Sequence, residues 1–126
     1  MQVSKDLGNG LVVTAQGETI VEVWEELAKL TEVFGEKRAT KGSDAGTDLV
    51  YTVRVQGKFK FYELTCPSIK AKLAFGVGDG ENKGNLYPKR MKTGAGGKAV
   101  KDSEGKGIYL PDRGWFRWNR ETGENE

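Results

Sequence analysis

Lys58, Lys60, Lys70 and Lys72 fall at alternate positions in two strand-like stretches, KFKFYELTC and IKAKLAF, and Arg54 lies in LVYTVRVQ just before them. Successive side chains of a strand point to opposite sides, so this spacing sends all five cations to one face of a sheet. Such a strip attracts the phosphates of a polyanion. The apolar alternation slips at Tyr62, and a bulge there would turn its ring toward the same face, where a flat ring beside cations can accept stacked bases. Further on, YPKRMK sets Tyr87 before Lys89, Arg90 and Lys92, and DRGWFRWNR interleaves Arg113, Arg117 and Arg120 with Trp115, Phe116 and Trp118. Alternation in that last run would put Trp115, Arg117 and Asn119 on one side, open to a ligand, with Phe116 and Trp118 packed inward. A competing arrangement closes both tryptophans into the core as a C-terminal clasp. The expected nucleic-acid-binding set is therefore Arg54, Lys58, Lys60, Tyr62, Lys70, Lys72, Tyr87, Lys89, Arg90, Lys92, Trp115 and Arg117. A plainer role for the lysines is to keep an outer sheet face wet and to discourage edge pairing.

Other chemistries find little support. The chain has no histidine, which removes the usual neutral-pH general base, the Ser-His and Cys-His pairs and the commonest transition-metal ligand. Asp79, Glu81, Asp102, Glu104 and Asp112 lie in loop-like sequence, where carboxylates are ordinarily solvated, so an enzyme is not expected. TGAGGKAV fails as a phosphate loop, because Lys92 stands five residues before Gly97 and Ala99 follows the lysine. GVGDGENKG fails as a dinucleotide fingerprint, since Glu81 holds the third glycine position. Neither a metal nor any other cofactor is expected.

The formal net charge of +2 conceals a strong asymmetry. Residues 1–48 carry five basic and nine acidic groups, a net of −4; residues 49–120 carry fifteen and six, a net of +9; the last six residues add −3. A basic middle between acidic ends is the pattern of a polyanionic partner or of a heavily solvated surface. At 126 residues the chain is of single-domain size, expected over 1–120 with a tail at 121–126. No apolar window reaches membrane-spanning length and MQVSKDLGNG lacks the apolar core of a secretory signal, so a cytoplasmic site of action is expected. The lone Cys66 makes no intramolecular disulfide and fits a reducing compartment.

The elements that must position these groups follow from periodicity. GLVVTAQGE predicts a short strand, Leu11 to Ala15. In TIVEVWEELAKLTEVFG, apolar residues at Ile20, Val23, Trp24, Leu27, Leu30 and Phe34 have amphipathic helical spacing, Thr19 and Glu22 fit a capping box, and Gly35 supplies a stop. EKRATKGSDAGTD predicts a polar loop. LVYTVRVQ, KFKFYELTC and IKAKLAF then predict a three-stranded antiparallel meander. Its apolar face would carry Tyr51, Val53, Val55, Phe59, Phe61, Ile69, Ala71, Leu73 and Phe75, packed against the helix. The segment 93–107 has almost nothing to bury and predicts a flexible loop, with a short aromatic strand after it. The fold class is α+β.

This order of elements, with KLAFG, LYPKR, YLP and GWFRW, resembles a group of small phage-encoded zinc-ribbon-like proteins. In that group paired Cys-x-x-Cys knuckles flank the first two central strands. Here the first knuckle falls in GEKRATKGSDAG, which has no cysteine, and the second in CPSIK, which keeps only Cys66, so the resemblance is to a degenerate form without metal. It implies a phage origin, action in a bacterial host and a role in DNA metabolism. The expected function is thus non-catalytic binding of single-stranded nucleic acid, DNA in preference to RNA, with low sequence specificity. Alternatives are a small phage-type inhibitor of a host defence or replication protein, or a sequestering protein for a small anionic nucleotide. Self-association is compatible with such a binder, although no single residue specifies it.

Overall fold

The computed structural model describes residues 1–94 and 98–118, and of Asn82 only the backbone. The expected 121–126 tail, Asn119, Arg120 and positions 95–97 of the expected loop lie outside the described residues. The protein is mixed α+β, with one helix and antiparallel sheets among those residues. Contacts cluster into two compact units, Met1–Lys37 and the chain from Arg38 onward, where the sequence predicts a single domain. No helix among the described residues is long and apolar enough to cross a membrane.

The first unit is a hairpin with a helix laid on it. Strand β1 (Gln2–Asp6) pairs antiparallel with β2 (Val12–Gln16), and helix α1 (Ile20–Phe34) packs on β2. Strand β1 escapes the sequence because its only interior apolar residue is Val3. The cap is as expected at the start: Glu22 N–H donates to Thr19 Oγ1 at 3.2 Å, while the Glu22 carboxylate accepts from Glu18 N–H at 2.8 Å. At the other end Gly35 stays right-handed, and the last helical carbonyl, that of Phe34, is satisfied from outside the helix. Asn9 Nδ2, in the β1–β2 loop, donates to Phe34 O at 2.7 Å and to Glu36 O at 3.0 Å. The apolar stripe is only partly covered: Val23 is buried, Leu27, Leu30 and Phe34 are half-buried, and Ile20 and Trp24 are exposed. Within its own unit the helix rests on a hairpin two strands wide.

The second unit is built on a five-stranded sheet. Strands β5 (Val50–Gln56), β6 (Phe59–Cys66) and β7 (Ala71–Val77) form a continuous antiparallel meander, extended beside β7 by β8 (Leu86–Pro88) and by β9 (Phe116–Arg117). Between β5 and β6 the turn has only two residues, Gly57 and Lys58, and Gly57 takes φ 61°. A positive φ at the first central position alone is the type II′ hairpin geometry, which suits glycine. The turn fixes the register Gln56↔Phe59, and the ladder runs without interruption to Val50↔Thr65. There is accordingly no bulge at Tyr62.

Pairing sorts the side chains differently from the expectation. One face carries Tyr51, Val53 and Val55 with Lys60, Tyr62, Leu64 and Cys66 and with Ala71, Leu73 and Phe75. The other carries Thr52 and Arg54 with Phe59, Phe61 and Glu63 and with Lys72 and Ala74. Phe59 and Phe61 therefore lie opposite the core face, while Lys60 and Tyr62 share it. The core sits under the first face, where Leu64, Cys66, Leu73 and Trp115 are fully buried.

Two further hairpin-like pieces attach to this sheet. Where a polar loop was expected, β3 (Ala39–Lys41) and β4 (Asp44–Gly46) pair antiparallel, and β3 packs on β7. In and around the segment expected as a flexible loop, the described residues carry backbone bridges: Met91 to Tyr109, Thr93 to Ala99 and Lys101 to Gly107. At its centre Lys92 N–H donates to Ile108 O (2.7 Å), Ile108 N–H to Val100 O (3.3 Å) and Val100 N–H to Lys92 O (3.1 Å). Three chain passes thus bond one another in a ring, an order held by main-chain groups that composition does not reveal.

Asp48 ties β4 and β5 to the turn between β6 and β7. Its Oδ1 accepts from Ser68 Oγ at 2.5 Å and from Cys66 Sγ at 3.1 Å, and its Oδ2 accepts from Ser68 N–H at 3.0 Å. These bonds, the Ser68 hydroxyl foremost, hold the Asp48 carboxyl down to about 2, and burial pushes the Cys66 thiol up. A carboxyl whose folded pKa lies below its unfolded value of about 3.9 stabilises the fold above that value, and the stabilisation disappears as pH falls through the folded pKa. The urea midpoint of the native protein is therefore expected to fall between about pH 4 and pH 2. In Asp48→Asn, this component of the acid dependence is expected to vanish; an unchanged acid limb would show that the three bonds do not form in solution.

Candidate nucleic-acid interface

The sheet face turned away from the core carries Arg54, Phe59, Phe61, Lys72 and Tyr87. Register across β5, β6, β7 and β8 aligns Arg54 with Phe61 and Gly76 with Tyr87. Arg54 is held by three contacts: its Nε bonds Glu63 Oε1 at 3.1 Å, its Nη1 donates to Gln56 Oε1 at 3.1 Å, and its guanidinium carbon lies 4.3 Å from the Phe61 ring centroid. Phe59 and Phe61 lie 6.4 Å apart, tilted by 39°. Phe59 is 68% and Phe61 36% exposed, so both rings present apolar surface to water. Tyr87 is also exposed, its ring lying against Gly76 so closely that a β-carbon there would sit 2.3 Å from Cζ.

Electrostatics on this face turn on Glu63. Its carboxylate is buried and shared between two cations, Arg54 on one oxygen and Lys72 Nζ on the other at 3.4 Å. Lys72 also lies 4.8 Å from the Trp118 ring centroid. Burying a lone carboxylate would cost several kcal/mol; two cations to one acid leave the cluster with a net positive charge. The exposed member is Arg54, half-accessible above the phenyl ring, which makes it the cation available to a ligand.

The twelve residues expected to bind do not form one surface. Arg54 and Tyr87 lie on this face, and Lys89 extends it, its N–H donating to Ala74 O at 2.9 Å and its side chain exposed. Lys58 is exposed at the hairpin tip. Lys60 and Tyr62 are on the opposite face, because the two-residue turn sets a register one residue from the expected one. Lys70 follows the 3₁₀ turn Pro67–Ile69 with φ 52°, outside the strand. Lys72 is on the expected face but buried against Glu63. Arg90 is half-buried, with Nη1 donating to Arg113 O at 2.8 Å. Lys92 is exposed within the ring of three chain passes.

Trp115 and Arg117 reverse their expected positions. Trp115 is 2% exposed and belongs to the core, so it is not open to a base. The physical cause is the pairing of β9 with β7: Arg117 sits opposite Ala71 on the core face, and Trp115, two residues earlier, shares that side. Gly114, at φ 95°, lets the chain pass against β7 and Lys89 O, where any β-carbon would sit 2.4 Å from that oxygen. Arg117 is ion-paired with Asp44 on β4. Phe116 and Trp118 take the opposite side, half-buried beside Lys72.

Phe59, Phe61 and Trp118 are the members sequence reasoning missed. The signal lay in Gly57-Lys58: read as a two-residue turn, it pairs Gln56 with Phe59 and puts both phenylalanines beside Arg54. Among the described residues, no group of three or more His, Cys, Asp or Glu side chains could hold a metal ion. No family model, curated protein or solved structure matches the chain.

Proposed function

We propose that this protein binds single-stranded nucleic acid without catalysis and with low sequence specificity, through the outer face of the second unit's sheet. The observation that carries the reading is the pair of exposed phenyl rings, Phe59 and Phe61, with the Arg54 guanidinium stacked over one of them. Every base has a π-face, so rings spaced along a strand accept bases regardless of identity, each stack being worth roughly 1–3 kcal/mol. Arg54, Lys58 and Lys89 supply phosphate contacts beside the rings, and Tyr87 offers a third stacking surface across the sheet. DNA is the preferred polymer on the resemblance to small phage proteins, which also motivates a role in phage DNA metabolism.

Anisotropy of labelled dT oligonucleotides of several lengths over a salt series tests this. About three phosphate contacts predict a slope near −2 for log K against log salt, from roughly −0.7 per contact on a single strand. Affinity should rise with length until both rings and all three cations are engaged. No binding at low salt, or binding that ignores salt and length, would refute it.

A second reading, docking on a host protein as a small inhibitor, is favoured by one observation. Val53 and Val55 are exposed on the other face of the same hairpin, adding apolar surface that a nucleic acid does not need. Salt-insensitive capture of a protein with no affinity for dT would point there.

A further inference from the structure

Arg54 is held more firmly than an exposed arginine needs to be if it only carries charge. A guanidinium is flat, with its N–H donors along the edge and none on its faces. Two edge positions of Arg54 are taken: Nε bonds Glu63 Oε1 and Nη1 donates to Gln56 Oε1, each at 3.1 Å. Glu63 is itself fixed, because it is buried and its other oxygen bonds Lys72 Nζ. Bonds to edge donors run in the plane of the group. One from its own strand and one from β6 therefore set the tilt of the plane as well as its place.

The inner side is set by Phe61, which pairs directly across from Arg54 and whose ring centroid lies 4.3 Å from the guanidinium carbon. The Arg54 side chain is nevertheless 46% accessible. With the edge bonded and the inner side on a ring, the outer side of the plane is what solvent meets. Because Nε is engaged, the Nε–Nη2 fork with which arginine grips a phosphate by two bonds is closed. A guanidinium plane is a surface on which an unpaired base stacks. A lysine ammonium has no such plane.

We infer that Arg54 receives an unpaired base on the outer face of its guanidinium, in a stack of base, guanidinium and Phe61, and that Glu63 and Gln56 are the residues that position it. The group recognised at this point is the base, whereas Lys58 and Lys89 have no flat face and meet phosphate. The charge of Arg54 still draws the backbone, so its share of the salt dependence is that of any cation. The inference rests on the nucleic-acid reading of this face and deepens it in two ways. It makes arginine, not merely a cation, the requirement at position 54. It also defines the ligand class by free bases in addition to negative charge, so a polyanion without bases loses this contact.

Anisotropy with a labelled dT oligonucleotide and an abasic strand of the same length and charge tests it. The native protein should bind dT more tightly than the abasic strand. Arg54→Lys keeps a cation beside Glu63, so the salt slope and the urea midpoint should stay close to native. Its affinity for dT should fall about fivefold or more, the lower end of the loss of one base stack. On the abasic strand Arg54→Lys should match the native protein. Gln56→Ala removes one in-plane bond at an exposed position and leaves every charge in place. It should weaken dT binding by about twofold or more, as for one hydrogen bond, with no change on the abasic strand. A general loss of structure would lower both. Native affinity for dT in Arg54→Lys, or an equal loss on the two strands, would overturn the inference while the nucleic-acid reading stood. A native protein that binds neither strand, or both alike, would refute that reading and the inference with it.

Discussion

Trp115→Ala is expected to destabilise the second unit by roughly 3–5 kcal/mol, the range for deleting a buried aromatic ring. Trp115 is fully buried with Leu64, Leu73 and Cys66 on the inner face of the sheet. Gly114 fits so closely against Lys89 O and Leu73 that the backbone around the resulting cavity has little room to collapse. Against a typical domain stability of about 5–15 kcal/mol the loss is a large fraction. With a urea slope near 2 kcal/mol/M, the midpoint should fall by about 2 M. Equilibrium unfolding followed by far-UV circular dichroism reads this directly. A variant with the native midpoint but weakened oligonucleotide binding would return Trp115 to the interface and refute the core assignment.

The opposite dissociation is expected for the phenyl rings. Phe59→Ala and Phe61→Ala should each weaken dT binding by roughly 1–3 kcal/mol, five- to 150-fold, if each ring stacks one base. Stability should change less, because Phe59 is mostly exposed and removing it leaves no internal cavity. Lys60→Ala is the control on the same strand: it removes a cation from the opposite face and should alter affinity far less than Phe61→Ala. Equal losses from Lys60 and Phe61 would mean that the two faces are not distinguished by the ligand. Unchanged affinity in both phenylalanine variants would remove the stacking platform altogether.

These contrasts also fix what Lys72 can do. It is buried, shares Glu63 with Arg54, and is a structural cation rather than a phosphate contact. Removing it would strand a buried carboxylate with one remaining partner, and breaking such a cluster is costly. A fall in affinity in a Lys72 variant would therefore have to be separated from a fall in stability by measuring both.

The sequence alone determined the parts that local physics controls. Helical periodicity and the Thr19–Glu22 box located α1, because an apolar stripe and a cap are properties of neighbouring residues. Dense β-branched and aromatic alternation identified β5, β6 and β7 as an antiparallel meander. Arg54 and Tyr87 could be placed among the candidates on charge and ring type. What tertiary structure decided was direction. A two-residue turn at Gly57-Lys58 shifted β6 by one position, and a one-residue slip exchanges every side chain between faces. That slip moved Phe59 and Phe61 outward and Lys60 and Tyr62 to the core face. The sequence left Trp115 between ligand face and core, and the pairing of β9 with β7, more than forty residues away, decided for the core. The pairing of Lys92, Val100 and Ile108 rests on main-chain bonds between passes, which side-chain composition does not encode. Burial and pairing partners are properties of the folded chain, so the same lysines read as one basic strip resolve into an exposed tip, an opposite face and a buried bridge.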